Sequence, residues 1–299
     1  MVMGRFPTAA PIRVVLFDAF DTLVTPRAAP HLQYAAVARE HGLDVADSDV
    51  KAAFKQAFRI TATEHPNYGL ETDIASPDHW WALVIQRTFT PHLHPAVSEQ
   101  QYAATIDSLS HRLVTRFGTS QAYRLFEDVV PTLERLAQMR ARDDRPVTLM
   151  LATNSDSRIL GVLKSFGLDR FLNLDVDGSA SAAQSSAGPV LSYFEKCAKP
   201  DSRFFQAALQ RAATHRDESV PPINALYVGD QLHEDFWGAT TAGLQAAWLQ
   251  RSTGAESNQP HQQVDRARDD PHDLEYAHQR TITSLADAVG IVESSLKAT

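Results

Sequence analysis

At several points in this sequence an apolar run stops at, or a loop carries, a side chain able to do chemistry. Ile12 to Phe17 runs into Asp18, VTLMLATN ends in Thr153 and Asn154, Lys199 stands in Ala-Lys-Pro-Asp, and ALYVG is followed by Asp230. Asp235 lies a short way beyond, where a tight turn could bring it back beside Asp230. With Asp18, these two carboxylates offer the oxygen ligands that a hard cation such as Mg²⁺ prefers. An ammonium at Lys199, in a loop fixed by Pro200, could neutralise both a carboxylate and an anionic substrate. Each position also has a plainer reading. Asp18 could cap a turn, Thr153 could start a helix, and Lys199 could be an exposed lysine. Asp235 could ligate, act through water, or cap a helix beginning near Phe236, with Glu234 as a substitute ligand.

These side chains work together only if their elements place them together. The run before Asp18 is apolar throughout, as in a strand buried on both faces. From His31 to Phe117 the pattern becomes helical, with apolar residues three and four apart and Asp47, Ser76 and Ser98 as caps. Beyond Gly118 strands and helices alternate: VTLMLATN, a helix over Ser157 to Phe166, a helix from Asp201, ALYVGD, another helix, QAAWL, and a closing amphipathic helix in TITSLADAVGIVESSL. Alternation of this kind implies a parallel sheet, which gathers its ligands outside the carboxyl ends of its strands. Gly178 to Gly188 and Ser252 to Gln279 are small or polar and read as mobile surface excursions.

A chain of 299 residues accommodates a core and one inserted domain. Its formal charge of -8 argues against a surface built for nucleic acid or anionic lipid, and favours small-molecule chemistry. No apolar run is long enough to span a bilayer, and the single cysteine, Cys197, cannot form an internal disulfide. The cytoplasm is the expected compartment, with a mitochondrial presequence as the alternative. The histidines are scattered, and His92 with His94 lacks the neighbours of a zinc site. Lys196 and Lys199 could lower the pKa of the Cys197 thiol.

DAFDTL, ATNSD, AKPDSRFF and YVGDQLHEDFWGA resemble, in order, the four motifs of the haloacid dehalogenase superfamily. HPNYGL followed by Trp80 and Trp81 is similar to its Reg-2-like branch, within a subfamily IA-like arrangement. The resemblance implies a three-layer, Rossmann-like α/β core with a parallel sheet, formed by residues 1–26 and 124–299, and an inserted helical cap of the C1 type over 27–123. Hinges at Thr25 to Pro30 and Gly118 to Tyr123 would let the cap close. It also implies that Asp18 is the nucleophile, that Thr153 and Asn154 hold the transferring group, and that Lys199 balances charge. Mg²⁺ would be held by Asp18, the Phe20 backbone carbonyl, Asp230 and Asp235. The NYG turn and the two tryptophans read as packing.

One position departs from the pattern. Phosphatases of the superfamily carry a second aspartate two residues after the nucleophile, as acid and then base, and here that residue is Phe20. A phenyl ring moves no proton. Asp21, in a strand-like register, would face the other way and support the turn. Three readings follow: a hydrolase of a phosphate ester or acyl phosphate whose leaving group needs little protonation; a degenerate binding or scaffold protein; and displacement of halide, for which an arginine such as Arg27 or Arg158 would be needed.

Overall fold

The computed structural model describes residues 10–92, 98–141, 143–176, 186–251 and 270–297. Val14–Phe17 forms β1, four apolar residues with no exposure at all. After a tight turn comes β2 (Val24–Pro26). Four helices follow: α1 (Pro30–Glu40), α2 (Asp47–Glu64), α3 (Pro77–Phe89) and α4 (Glu99–Phe117). The chain then makes β3 (Tyr123–Leu125), α5 (Val129–Gln138), β4 (Thr148–Thr153) and α6 (Arg158–Ser165). Next are β5 (Val190–Leu191), α7 (Ser192–Glu195), α8 (Ser202–Arg216) and β6 (Ala225–Gly229). A π-helical turn over Leu232–Trp237 leads into α9 (Gly238–Thr241) and β7 (Gln245–Leu249). The last elements are α10 (Pro271–His278), β8 (Thr281–Ile282) and α11 (Ala286–Lys297).

Six strands form one sheet in the order β5-β4-β1-β6-β7-β8, every pair parallel. From β1 the chain builds outward through β4 and β5, then returns to place β6 on the other flank of β1. The carboxyl ends of β1 and β6 therefore meet where the strand order reverses, which is where open α/β sheets bind their ligands. The α/β class with a parallel sheet is the one the sequence implied.

The chain divides into two compact units: residues 1–25, 125–154 and 166–299, which contain the sheet, and residues 26–124 with 155–165, which are helical. The sequence placed only 27–123 in the insertion. Residues 155–165 join the helical unit because Ser120 N donates to Ser165 Oγ at 2.7 Å and Gly161 lies against the Gly118 carbonyl, which a Cβ would approach to 2.8 Å. Inside this unit Tyr34, Ile85, Phe89, Leu109 and Leu113 form one core, and Trp80 with Val84 and Ala57 a second. Tyr68 of the NYG turn packs edge-on against Trp80 with centroids 5.4 Å apart, and Trp80 Nε1 donates to the His65 carbonyl. Ser98 and Gln101 form a reciprocal capping box, and Ser76 accepts from His79 N. Asp47 is no cap: Ala46 holds that position, and Asp47 sits in the first turn of α2, paired with Arg39.

Two other expectations need correction. Of the polar stretch from 252, residues 252–269 lie outside those described, but 271–278 form α10, whose Ala277 is fully buried. Of 178–188, residues 178–185 lie outside those described, while Ser186 is buried and its hydroxyl joins the Leu149 carbonyl to Asn173 N. Among the described residues, no helix is long and apolar enough to cross a membrane.

Candidate active site

Phe17 lies beside Leu151 of β4 and Val228 of β6, and Asp18 N continues the ladder by donating to the Val228 carbonyl. Asp18 and Asp230 are thus the first acidic residues beyond two adjacent strands. The chain leaves Asp18 in a tight turn in which Leu23 N and Val24 N both donate to the Ala19 carbonyl. Asp21 adopts φ 53° there, and its carboxylate accepts the Thr25 hydroxyl at 2.7 Å. The half-buried Phe20 bridges to Val24 in the same turn. Asp21 therefore braces the turn, but from a left-handed turn conformation and not from the strand-like register expected of it.

Carboxylate oxygens of Asp18, Asp230 and Asp235 lie within 4.8 Å of one another. Gly229 permits this: a Cβ at that position would come within 2.2 Å of Asp235 Oδ2, so any side chain would push Asp235 out of the cluster. Asp235 sits inside the π-helical turn with one oxygen accepting from Gln231 N and the other from Lys199. Both oxygens thus face the cluster and the lysine, and Asp235 is no cap near Phe236: Gln231 holds the cap position of this turn. Glu234 instead accepts from Asn154 Nδ2 at 3.1 Å.

Lys199 is 4% exposed, and its Nζ donates to Asp18 Oδ1 (2.7 Å), Asp235 Oδ1 (2.6 Å) and the Tyr227 hydroxyl (2.8 Å). Asn154 holds the lysine's backbone from both sides, donating to the Lys199 carbonyl at 3.0 Å and accepting from Lys199 N at 2.8 Å. Sequence reasoning gave Asn154 to the substrate; its side chain is engaged with the lysine loop. Thr153 closes β4 beside Leu191 and is buried. Three residues escaped the sequence reading. Tyr227 was hidden as one apolar residue of a strand, Gln231 donates to Asp230 Oδ2, and Trp248 Nε1 donates to the Asp230 carbonyl.

Three carboxylates face one ammonium, and two of them, Asp230 and Asp235, are less acidic than usual. Burial, then Asp18 and Asp235, pushes Asp230 up to about 8. Burial raises Asp235 to about 6 despite the opposing pull of Lys199. Burial would lower Lys199, but Asp18 and Asp235 hold it well above its ordinary value. Among the described residues, Asp18 Oδ2 and Asp230 Oδ1 accept no hydrogen bond, so an unengaged oxygen remains on each of the two strand ends. An all-oxygen, electron-rich cluster with open acceptors fits a hard divalent cation.

The other candidates are occupied elsewhere. In the helical unit Arg158 makes a bidentate pair with Asp156 and lies 4.5 Å over the Trp81 ring, while Arg27 donates to the Ser120 carbonyl. Burial, with Asp201 next, raises the Cys197 thiol, opposite to the lowering expected from its lysine neighbours. His92 ends a 3₁₀ turn, and His94 lies outside the described residues.

A family model of haloacid dehalogenase-like hydrolases matches residues 12–243. Haloacid dehalogenase-like hydrolase domain-containing protein 3 of Mus musculus is 28% identical over 233 residues, covering 78% of this chain and 80% of that protein. The Rhythmically expressed gene 2 protein of Drosophila melanogaster is 22% identical over 244 residues, covering 81% and 85%. Among solved structures, 2-haloacid dehalogenase from Pseudomonas syringae pv. Tomato DC3000 is similar with TM-score 0.55 and 20% identity, covering 95% of this chain and 99% of that one. The putative HAD-hydrolase YfnB from Bacillus subtilis, in a structure bound to magnesium, has TM-score 0.55 and 17% identity, covering 94% and 99%. At these identities the structural likeness concerns the fold. Because the family model spans both the strand that ends at Asp18 and the strand that ends at Asp230, the chain belongs to the haloacid dehalogenase-like hydrolase family.

Proposed function

We propose that this protein hydrolyses a small anionic phosphate ester or acyl phosphate through a covalent intermediate on Asp18. The observation that carries this reading is Lys199 donating to Asp18 Oδ1, which orients a buried carboxylate at the end of β1 while one oxygen stays open. In the first step that oxygen forms a bond to phosphorus, and the bond from phosphorus to the leaving group breaks with its electron pair. In the second, water attacks phosphorus and the Asp18 carboxylate is released. Thr153 is assigned to the transferring group, with the backbone of Asn154.

Asp18, Asp230, Asp235 and the Phe20 carbonyl are the residues that would hold Mg²⁺. When bound, it supplies positive charge against the nucleophile and the transferring oxygens. Lys199 offsets part of the remaining charge. With Phe20 in the place of an acid, the protein lacks a contribution of about 10²- to 10⁴-fold to leaving-group departure. Acyl phosphates and aryl phosphates, which leave without a proton, are therefore the preferred class. The helical unit is assigned the role of a substrate-selecting cap, and the cytoplasm is the assigned compartment.

Phe20 also favours a second reading, a degenerate member that binds anion or metal without turnover. Halide displacement has less support: the acidic cluster serves it in no step, and Arg158 is neutralised by Asp156. Turnover of acetyl phosphate, an aryl phosphate and an alkyl phosphate, each with and without Mg²⁺, separates the readings. Magnesium-dependent turnover that follows leaving-group quality and disappears in Asp18→Asn is the expected result. No turnover alongside intact magnesium binding would favour the binding protein.

A further inference from the structure

An ammonium has three hydrogens to donate, and the buried Lys199 has three acceptors: Asp18, Asp235 and Tyr227. Tyr227 is the one uncharged member of the set. Its own proton has a fixed destination, because the hydroxyl lies 2.6 Å from the Ala152 carbonyl, which can only accept. The phenol oxygen must then receive a Lys199 hydrogen. A chain of bonds results, from the Ala152 carbonyl near the end of β4, through a tyrosine on β6 and a lysine from the loop before α8, to the carboxylate after β1. Tyr227 is itself fully buried and stacked edge-on against Phe205, so its hydroxyl has little freedom to move.

We infer that Tyr227 is a positioning residue that locks Lys199 onto Asp18 Oδ1 and thereby selects Oδ2 as the attacking oxygen. Without the hydroxyl the ammonium would keep two acceptors and could swing between the two oxygens of Asp18, masking the nucleophile for part of the time. With it, all three hydrogens are spent on the protein, so Lys199 acts on the nucleophile and gives no hydrogen to the substrate in this arrangement. The kinetic consequence rests on the hydrolase reading above; the geometric one does not.

Two readouts on the full chain test this. In ¹H–¹⁵N spectra of lysine-labelled protein, the Lys199 ammonium, identified by its loss in Lys199→Met, should exchange its hydrogens slowly. In Tyr227→Phe that exchange should be at least about tenfold faster, as expected for a buried donor left unpaired. Unchanged exchange in a folded variant overturns the inference. On the best substrate of the panel, Tyr227→Phe should lower kcat at least about tenfold with KM within about twofold, the pattern of an interaction that matters at the transition state. A variant that melts earlier but keeps its kcat shows that the hydroxyl only stabilises the fold, and overturns it. If the wild type turns over nothing, the hydrolase reading fails and the exchange experiment alone decides. If Tyr227→Phe does not fold, labelling with 3-fluorotyrosine weakens the phenol as an acceptor instead; the Lys199 resonance must then shift, and one that does not move overturns the inference.

Discussion

Each unit of this protein holds a buried ionic group built around a carboxylate less than a tenth exposed, and these two groups differ in their balance of charge. In the helical unit Asp156, with its side chain 3% exposed, meets Arg158 one to one; it also accepts Arg158 N and Trp81 Nε1. Every oxygen has donors and the charges cancel. In the sheet unit Lys199 faces Asp18 and Asp235 directly, with Asp230 close by, so three acids share one base. Burying an unbalanced group costs more free energy than burying a balanced pair, and such groups cluster at functional sites. The charges of the first group cancel, whereas those of the second leave a net negative cluster that fits a cation.

Removing one carboxylate from each group should have opposite consequences. Asp18→Asn takes away the proposed nucleophile, and kcat should fall at least about 10⁴-fold, near 5 kcal/mol of barrier. The same variant should melt no lower than the wild type in chelator, because it relieves crowding among like charges. Asp156→Asn should leave the chemistry of the sheet unit intact but destabilise the fold by about 3 kcal/mol, since it strands a guanidinium whose side chain is only 16% exposed. Denaturant titrations of both variants check the pair. A comparable stability loss in Asp18→Asn would erase the distinction.

The next effect is one of pH. The metal-free native protein keeps a proton on Asp230 up to about pH 8, whereas an unfolded aspartate near its ordinary 3.8 has lost it. The native state thus binds more protons than the unfolded state between those values. Its contribution to stability is complete at the acid end and is lost as pH rises towards 8; Asp235, raised to about 6, adds to the same slope over the lower part of that window. Asp230→Asn should flatten the decline and exceed the wild type by about 2 kcal/mol at pH 8 in chelator. Mg²⁺ should stabilise the wild type most at high pH and the variant little. Melting curves at several pH values, with and without Mg²⁺, measure this, and a wild-type decline that Asp230→Asn leaves unchanged would mean that other groups cause it.

The contrast also marks how far the sequence could be read. Asp18 and Asp230 were legible because each follows a strand of a parallel sheet, which has only one end for such residues, and Asp235 because a tight turn could return it to Asp230. Lys199 was legible through Lys-Pro-Asp in its ordered place among the motifs. What could not be read depends on register between distant positions. Tyr227 looks like one more apolar residue of ALYVG until β6 is placed beside β1 and the lysine loop is brought over it. That the Asn154 side-chain amide holds the Lys199 backbone, 45 residues away in the chain, could not be read either. Residues 155–165 read as one more helix alternating with the strands, and contacts between distant positions, Gly161 with Gly118, Ser165 with Ser120 and Asp156 with Trp81, tie them to the helical unit. Ser186 and α10 were misjudged because polar composition hid buried anchors, Ser186 itself and Ala277.

The smallest effect probes how the balanced group is held. Trp81 touches the pair twice, by its Nε1 donating to Asp156 Oδ2 at 2.9 Å and by its ring under the Arg158 guanidinium. Trp81→Phe removes the hydrogen bond and keeps an aromatic face, so it should cost about 1 to 1.5 kcal/mol, much less than loss of the acid. The double variant Trp81→Phe with Asp156→Asn should be less destabilised than the sum of the singles, because the indole donor has no anion to serve once Asp156 is neutral. Additive losses would show that Trp81 stabilises the helical unit only through its stacking against Trp80 and Phe58, independently of the ion pair. The balanced group would then be a salt bridge beside an aromatic core, with no polar network joining the two.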